Sequence, residues 1–485
     1  MTKPAELNNK VVRATKWSAI TEIVAKLIVP ITNMVLARLL TPEAFGIVTT
    51  LTMIITFAEL FTDAGFQKYL VQHEFCDAED REQSTTVAFW SNFAMSITLW
   101  AVIAFFSDSL SALVGNPGLG IVLTISCVSI PLAAFSSIQM ALFRRDLDFK
   151  TLFKVRIVSI IIPLLVTIPL ALWLRSYWAL VIGTIVQNIV NAVLLTLFSS
   201  WKPRFYYSFA KLREMLSFTV WSLVEAISIW LTNYVDVFIV GTMLSQHYLG
   251  LYKTSSTLVG QIMGLITVAT TPVLFSSLSR LQNDDAEFKR LFFRFQKIVG
   301  LLVIPLGVGI YCYSDLITAI LLGSQWSEAS GFIGLWGLTS AITIVLSHYA
   351  SEVYRAKGLP RLSVLAQWLH IIVLWPVVLI AVKYGFETLY IARSWVRIEL
   401  ILVNLVILYK LVRVSVFQMI NNLIPTICAS IGMFLVASCL HSIANGIVWQ
   451  LLSISLCVMS YFVVIWLFPT ERKLLKMFIT KKNLI

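Results

Sequence analysis

Apolar runs without polar alternation constrain this chain more than any other feature. From Leu119 to Leu142 no acidic or basic side chain occurs, which is length enough for a helix to cross the hydrocarbon layer of a bilayer at about 1.5 Å per residue. Such runs recur from end to end. Only 13% of the 485 residues are charged and 58% are apolar, against about 25% charged in soluble domains. A β-barrel would instead require short alternating segments. The expected fold class is therefore an all-α integral membrane protein with about fourteen transmembrane helices, near 17–40, 45–66, 84–106, 119–142, 151–174, 177–198, 217–240, 253–275, 297–322, 331–354, 362–382, 388–409, 421–440 and 446–468.

An even number of spans puts both termini on one side, and basic loops mark the cytoplasmic side. Of the 37 Lys and Arg residues, thirty fall at the ends of spans on the termini's side, and four (Arg38, Arg175, Lys253, Lys383) fall on the other. Both termini are expected to be cytoplasmic. The net charge of +12 is thus spread over loops facing anionic lipid headgroups rather than gathered for nucleic acid. Within one such loop, Leu281, Phe288, Leu291, Phe292 and Phe295 recur at helical spacing, which predicts a helix lying on the membrane surface. The first apolar run is too long for a cleaved signal segment, so the N-terminus is expected to be retained. The six cysteines are scattered without a paired motif, and neither they nor the five histidines suggest a disulfide, metal or cofactor.

An internal repeat is visible. Trp17-Ser18 with Glu22 matches Trp221-Ser222 with Glu225, and Thr41-Pro42-Glu43-Ala44-Phe45-Gly46 stands at the same stage as Ser245-Gln246-His247-Tyr248-Leu249-Gly250. The offset spans six helices, so both halves enter the membrane in the same direction, an arrangement used by two-lobed transporters. The expected organisation is an N-terminal lobe at 1–200, a C-terminal lobe at 201–415, and two further helices with a basic tail at 416–485.

Charges inside spans cost roughly 2.5–3.5 kcal/mol each even on the lenient insertion scale, so they mark partners or wet cavities. Glu22 and Lys26 lie four apart on the first helix, where they can form an ion pair or line a cavity. Glu59 and Asp63 lie four apart on the second and cannot neutralise each other, which makes them coupling candidates for a proton. Glu225 and Asp236 share a face of the seventh helix, being eleven residues apart. Arg393 and Arg397 share a face of the twelfth, while Glu399 points elsewhere. Two arginines together call for carboxylates or a phosphate-bearing ligand. Substrate-binding candidates are thus Arg393, Arg397, Lys26, Glu22, Glu225 and Asp236. There is no phosphate-binding loop, nucleophile elbow or metal motif, and no outward loop large enough for a catalytic domain, so an enzyme is not expected.

Several stretches, in order, resemble the polysaccharide exporters (Wzx-like flippases) of the multidrug/oligosaccharidyl-lipid/polysaccharide superfamily, in particular the colanic-acid and teichuronic-acid exporter branch. These are Leu36-Ala37-Arg38-Leu39-Leu40-Thr41-Pro42-Glu43-Ala44-Phe45-Gly46, Asp63-Ala64-Gly65-Phe66, Leu70-Val71-Gln72, the basic run Ala141 to Lys150, Pro272-Val273-Leu274-Phe275, and Leu322-Gly323-Ser324-Gln325-Trp326. Ala44 and Ser276 depart from the pattern, where an acidic residue and a second proline are frequent. The resemblance implies an inner-membrane flippase moving an undecaprenyl-pyrophosphate-linked oligosaccharide, as in lipopolysaccharide or exopolysaccharide biosynthesis, to the periplasmic leaflet by alternating access. Its implied partners are the lipid-linked oligosaccharide, membrane lipids, and the glycosyltransferases and polymerase of the same pathway, with no nucleic acid. A cation-coupled multidrug antiporter or a lipid II flippase of the same superfamily, and less so a membrane-bound polysaccharide polymerase, are the alternatives.

Overall fold

The computed structural model describes the backbone of residues 4–63, 65–444 and 446–473; side chains at 1–15, 19, 22, 23, 63, 64, 216–222, 224, 225, 445 and 474–485 lie outside the described residues. Three of the candidates, Glu22, Asp63 and Glu225, are among the latter.

The chain is helical throughout, with no strand among the described residues. Its long segments are α1 (Pro4–Leu39), α2 (Pro42–Asp63), α3 (Ala78–Phe105), α4 (Gly120–Arg145), α5 (Phe149–Leu174), α6 (Trp178–Phe198), α7 (Phe209–Met243), α8 (Gln246–Arg280), α9 (Asp285–Cys312), α10 (Ser324–Ala356), α11 (Arg361–Tyr384), α12 (Phe386–Trp395 continued by Arg397–Val412), α13 (Val416–His441) and α14 (Ile447–Leu467). Among the described residues, 12 helices are long and apolar enough to cross a membrane. Two of the expected spans are not among them. α1 is partly outside the described residues, and α12 carries Glu387, Arg393, Arg397, Glu399 and Lys410.

Aspartates fix several helix starts by accepting from exposed backbone N–H groups. Asp77 accepts from Asp80 N ahead of α3, Asp148 from Thr151 N in the first turn of α5, and Asp284 from Ala286 N and Glu287 N ahead of α9. The last of these corrects the expected surface helix. Because Asp284 starts a new helix, the segment is split between the end of α8 and the first turns of α9, and Phe288 and Phe292 are buried rather than laid on lipid.

Two compact units result, residues 1–253 and 254–485. In the first, α1 packs along α5, α4 lies between α3 and α6, and α7 runs against α2. In the second, α9 sits between α10 and α13, α14 packs on α13, and α11 packs on α12. This division follows packing and falls inside α8. The boundary near 200 follows the repeat instead, a separate criterion.

The repeat offset reappears in the first unit's packing. A side-chain carbon at Gly46 would run into the Gln246 carbonyl, and one at Gly250 would run into the Pro42 carbonyl. Each residue of one contact is 204 positions from its counterpart in the other. The helix starts of α2 and α8 thus meet reciprocally, as the two copies of a patch do across a twofold axis. Glu43 Oε1 and His247 Nδ1, themselves one offset apart, meet at 2.6 Å.

Candidate functional site

In the second unit, α10 presents Trp336 and Ser340, four residues apart and both buried, on one face. Opposite them α12 is interrupted at Val396, between its two arginines. The interruption does not separate them. Arg397 stacks with its guanidinium carbon 3.2 Å from the Trp336 ring centre, and Arg393 lies 4.9 Å from the same centre. Arg397 also donates to Ser340 Oγ at 2.6 Å.

Glu399 turns away, as expected from its spacing, and meets His370 Nδ1 of α11 at 2.9 Å. α12 is fastened to α10 further along: Asn404 donates to Ser347 Oγ at 2.9 Å and accepts from the Tyr354 hydroxyl at 2.8 Å. Ser347 belongs to a π-helical turn, Ile344–His348, a widened turn often found at functional sites. The arrangement brings two guanidinium groups to one indole. Stacking returns about 0.5–2 kcal/mol per cation and a hydrogen bond to a charged donor about 1.5–3, enough to offset a good part of the cost of holding arginine in a membrane segment. Planar forks held this way suit a phosphate or carboxylate, which they can grip through paired hydrogen bonds.

The acidic candidates lie in the first unit. Asp236 on α7 is buried, accepting from the Tyr252 hydroxyl of α8 at 2.6 Å and from Val237 N at 2.8 Å. Lys253 lies over the Tyr234 ring, 5.0 Å from its centre. Glu59 is half-buried on α2 and Lys26 half-buried on α1. Sequence reasoning missed Trp336, Ser340, His370 and Tyr252. The spacing of Trp336 and Ser340 was a usable signal, since a polar residue one turn from a tryptophan in an apolar run is out of pattern. For His370 and Tyr252 only packing reveals a partner.

Comparison with known proteins bears on this geometry. Residues 35–331 match the family model described as polysaccharide biosynthesis protein. The chain belongs to that family. Two relatives show how widely the family's members have diverged. The chain is 23% identical over 360 residues to the succinoglycan biosynthesis transport protein ExoT of Rhizobium meliloti (strain 1021), covering 74% of this chain and 71% of the relative. It is 20% identical over 354 residues to the teichuronic acid biosynthesis protein TuaB of Bacillus subtilis (strain 168), covering 73% and 72%. Among solved structures, the lipid II flippase MurJ in an inward closed conformation superposes with a TM-score of 0.74 at 15% identity, over 94% of this chain and 99% of that one. This member of the polysaccharide biosynthesis family is therefore a multi-pass membrane protein with the MurJ fold.

Proposed function

We propose that the protein is a flippase carrying an undecaprenyl-pyrophosphate-linked oligosaccharide, a precursor of a surface polysaccharide, from the cytoplasmic to the periplasmic leaflet of the bacterial inner membrane. The observation that carries this reading is the pair Arg393 and Arg397 of α12, held together on Trp336 of the membrane-spanning helix α10 in a polysaccharide biosynthesis family member. A pyrophosphate and several sugars cannot cross hydrocarbon unaided, whereas the prenyl tail can remain in lipid. The protein has to supply a polar, cationic path, and two lobes rocking about the substrate would open it to each side in turn. The names of ExoT and TuaB support the polysaccharide class of the cargo. A multidrug cation antiporter would place carboxylates where this chain places guanidinium groups.

Both termini are assigned to the cytoplasm on the distribution of Lys and Arg. In a background without native cysteines, a cysteine at the exposed Ser109 or Ser442 should react with a membrane-impermeant thiol reagent added outside, and one at Ser208 should not. Labelling at Ser208 in intact cells would reverse the orientation.

Function is tested by deletion in the source organism. Lipid-linked oligosaccharide should accumulate on the cytoplasmic face, and surface polymer should disappear. Persisting polymer with altered drug sensitivity would favour the antiporter, and lysis with retained peptidoglycan precursor would favour a lipid II flippase.

A further inference from the structure

A cleft of about 410 Å³ opens in the first unit beside the linker 199–208 that joins α6 to α7. Arg81 and Glu82 of α3, Asp146 just past α4, and Trp201, Lys202 and Arg204 of the linker line it. Three cations and two carboxylates give it an excess of one positive charge. The carboxylates orient the arginines: Arg81 holds both oxygens of Asp146 at 3.0 and 2.8 Å, and Arg204 meets Glu82 at 2.7 Å. An arginine has five donors, so neither pairing exhausts it. Lys202 donates to the Thr196 carbonyl. Trp201 forms part of the wall, and its indole N–H is buried without an acceptor among the described residues.

The setting decides what such a cleft faces. α3 begins, and α4 and α6 end, within a few residues of its lining, so it lies at the level where three apolar spans leave the hydrocarbon. The linker is strapped along α3. Trp90 donates to the Arg204 carbonyl at 2.7 Å and stacks on Phe205, the Tyr206 hydroxyl donates to Gln83 at 3.1 Å, and the Tyr207 hydroxyl meets Ser91 Oγ at 3.0 Å. Yet Phe205 and Phe209 are 97% and 79% exposed. Aromatic rings left outside the protein at this level are at home in the headgroup layer and costly in bulk water.

We propose that this cleft binds the phosphodiester headgroup of an anionic phospholipid, with Lys202, Arg204 and Arg81 as its donors and the linker aromatics seated in the same layer. A lipid held there would fasten the linker between the two halves of the repeat to the end of α3.

The full chain in nanodiscs of dioleoyl phosphatidylcholine, titrated with dioleoyl phosphatidylglycerol and read by native mass spectrometry, tests this. The Lys202→Gln/Arg204→Gln double variant should bind phosphatidylglycerol about tenfold more weakly. A charge-matched control, Lys289→Gln/Arg290→Gln in the second unit, should lose less than twofold, with thermal melting of all variants within the range of the parent. Equal losses in the test and control pairs would reduce the effect to general surface attraction and overturn the site. Glycerol phosphate competing as well as the lipid would overturn it in the other direction, assigning the cleft to a soluble anion.

Discussion

The two units treat charge packed among their helices in different ways. In the first, Asp236 is buried and closed off by hydrogen bonds from Tyr252 and its own neighbour's backbone, so the carboxylate is consumed in joining α7 to α8. In the second, Arg393 and Arg397 are both gathered on the Trp336 ring, and Arg397 donates in addition to Ser340 Oγ. The comparison sets a charge used to join two helices against a charge that we propose meets a ligand. Mere presence of an ionisable residue in a span does not distinguish the two.

Replacing an arginine sharpens that contrast most. Arg397→Lys or Arg393→Lys is expected to lower export by about a hundredfold, nearly as much as Ala, at normal abundance in the membrane, because lysine keeps the charge and loses the paired hydrogen bonds. Export normalised to inserted protein is the measurement, and lysine variants at full activity would return the arginines to a structural role.

Removing the platform should cost less. Trp336→Leu leaves both cations and deletes the ring that both approach, so export should fall about tenfold, in line with the roughly 0.5–2 kcal/mol of a cation–π contact. Trp336→Phe should recover most of it. Loss of both stacking and activity in the phenylalanine variant would point to the indole itself.

In the first unit the effects should appear in stability. Gly250→Ala forces the Pro42 carbonyl away and is expected to destabilise by about 1–3 kcal/mol, the usual cost of overpacking, seen as a lower melting temperature of the detergent-solubilised protein. The smallest effect should come from the closed carboxylate. Tyr252→Phe should cost about 1–2 kcal/mol, while Asp236→Asn, whose amide oxygen can accept from Val237 N and whose NH2 can donate to the Tyr252 hydroxyl, should change melting little and export less than twofold. A large export defect in Asp236→Asn with unchanged melting would erase the contrast and make Asp236 a ligand or coupling group.

Much of the fold was legible because lipid demands that a spanning segment satisfy its own backbone, so apolar length alone located most helices. Boundaries were less legible where helices continue into water. α9 starts at Asp285 rather than near 297, since Asp284 caps it and Phe288 finds a protein neighbour, and neither event leaves a trace in hydropathy. The Arg393–Arg397 pair was readable from a spacing of four, although the interruption at Val396 was not. Its platform was harder to read, because Trp336 lies some sixty residues away in sequence and is one of 15 tryptophans in the chain. Asp236 was chosen on its charge and its shared face with Glu225, and only the Tyr252 hydroxyl shows how that charge is occupied.

The reciprocal contact of Gly46 and Gly250 has an evolutionary reading. In a symmetric dimer, any residue lying on the axis is obliged to face its own copy, so an acid there would meet an acid. Two halves written into one gene are free of that obligation. Glu43 and His247 occupy corresponding places, and a carboxylate has come to face an imidazole where identical subunits would have placed two like charges. The two glycines clear backbone at corresponding places of the repeat, while the side chains beside them, Glu43 and His247, are complementary partners.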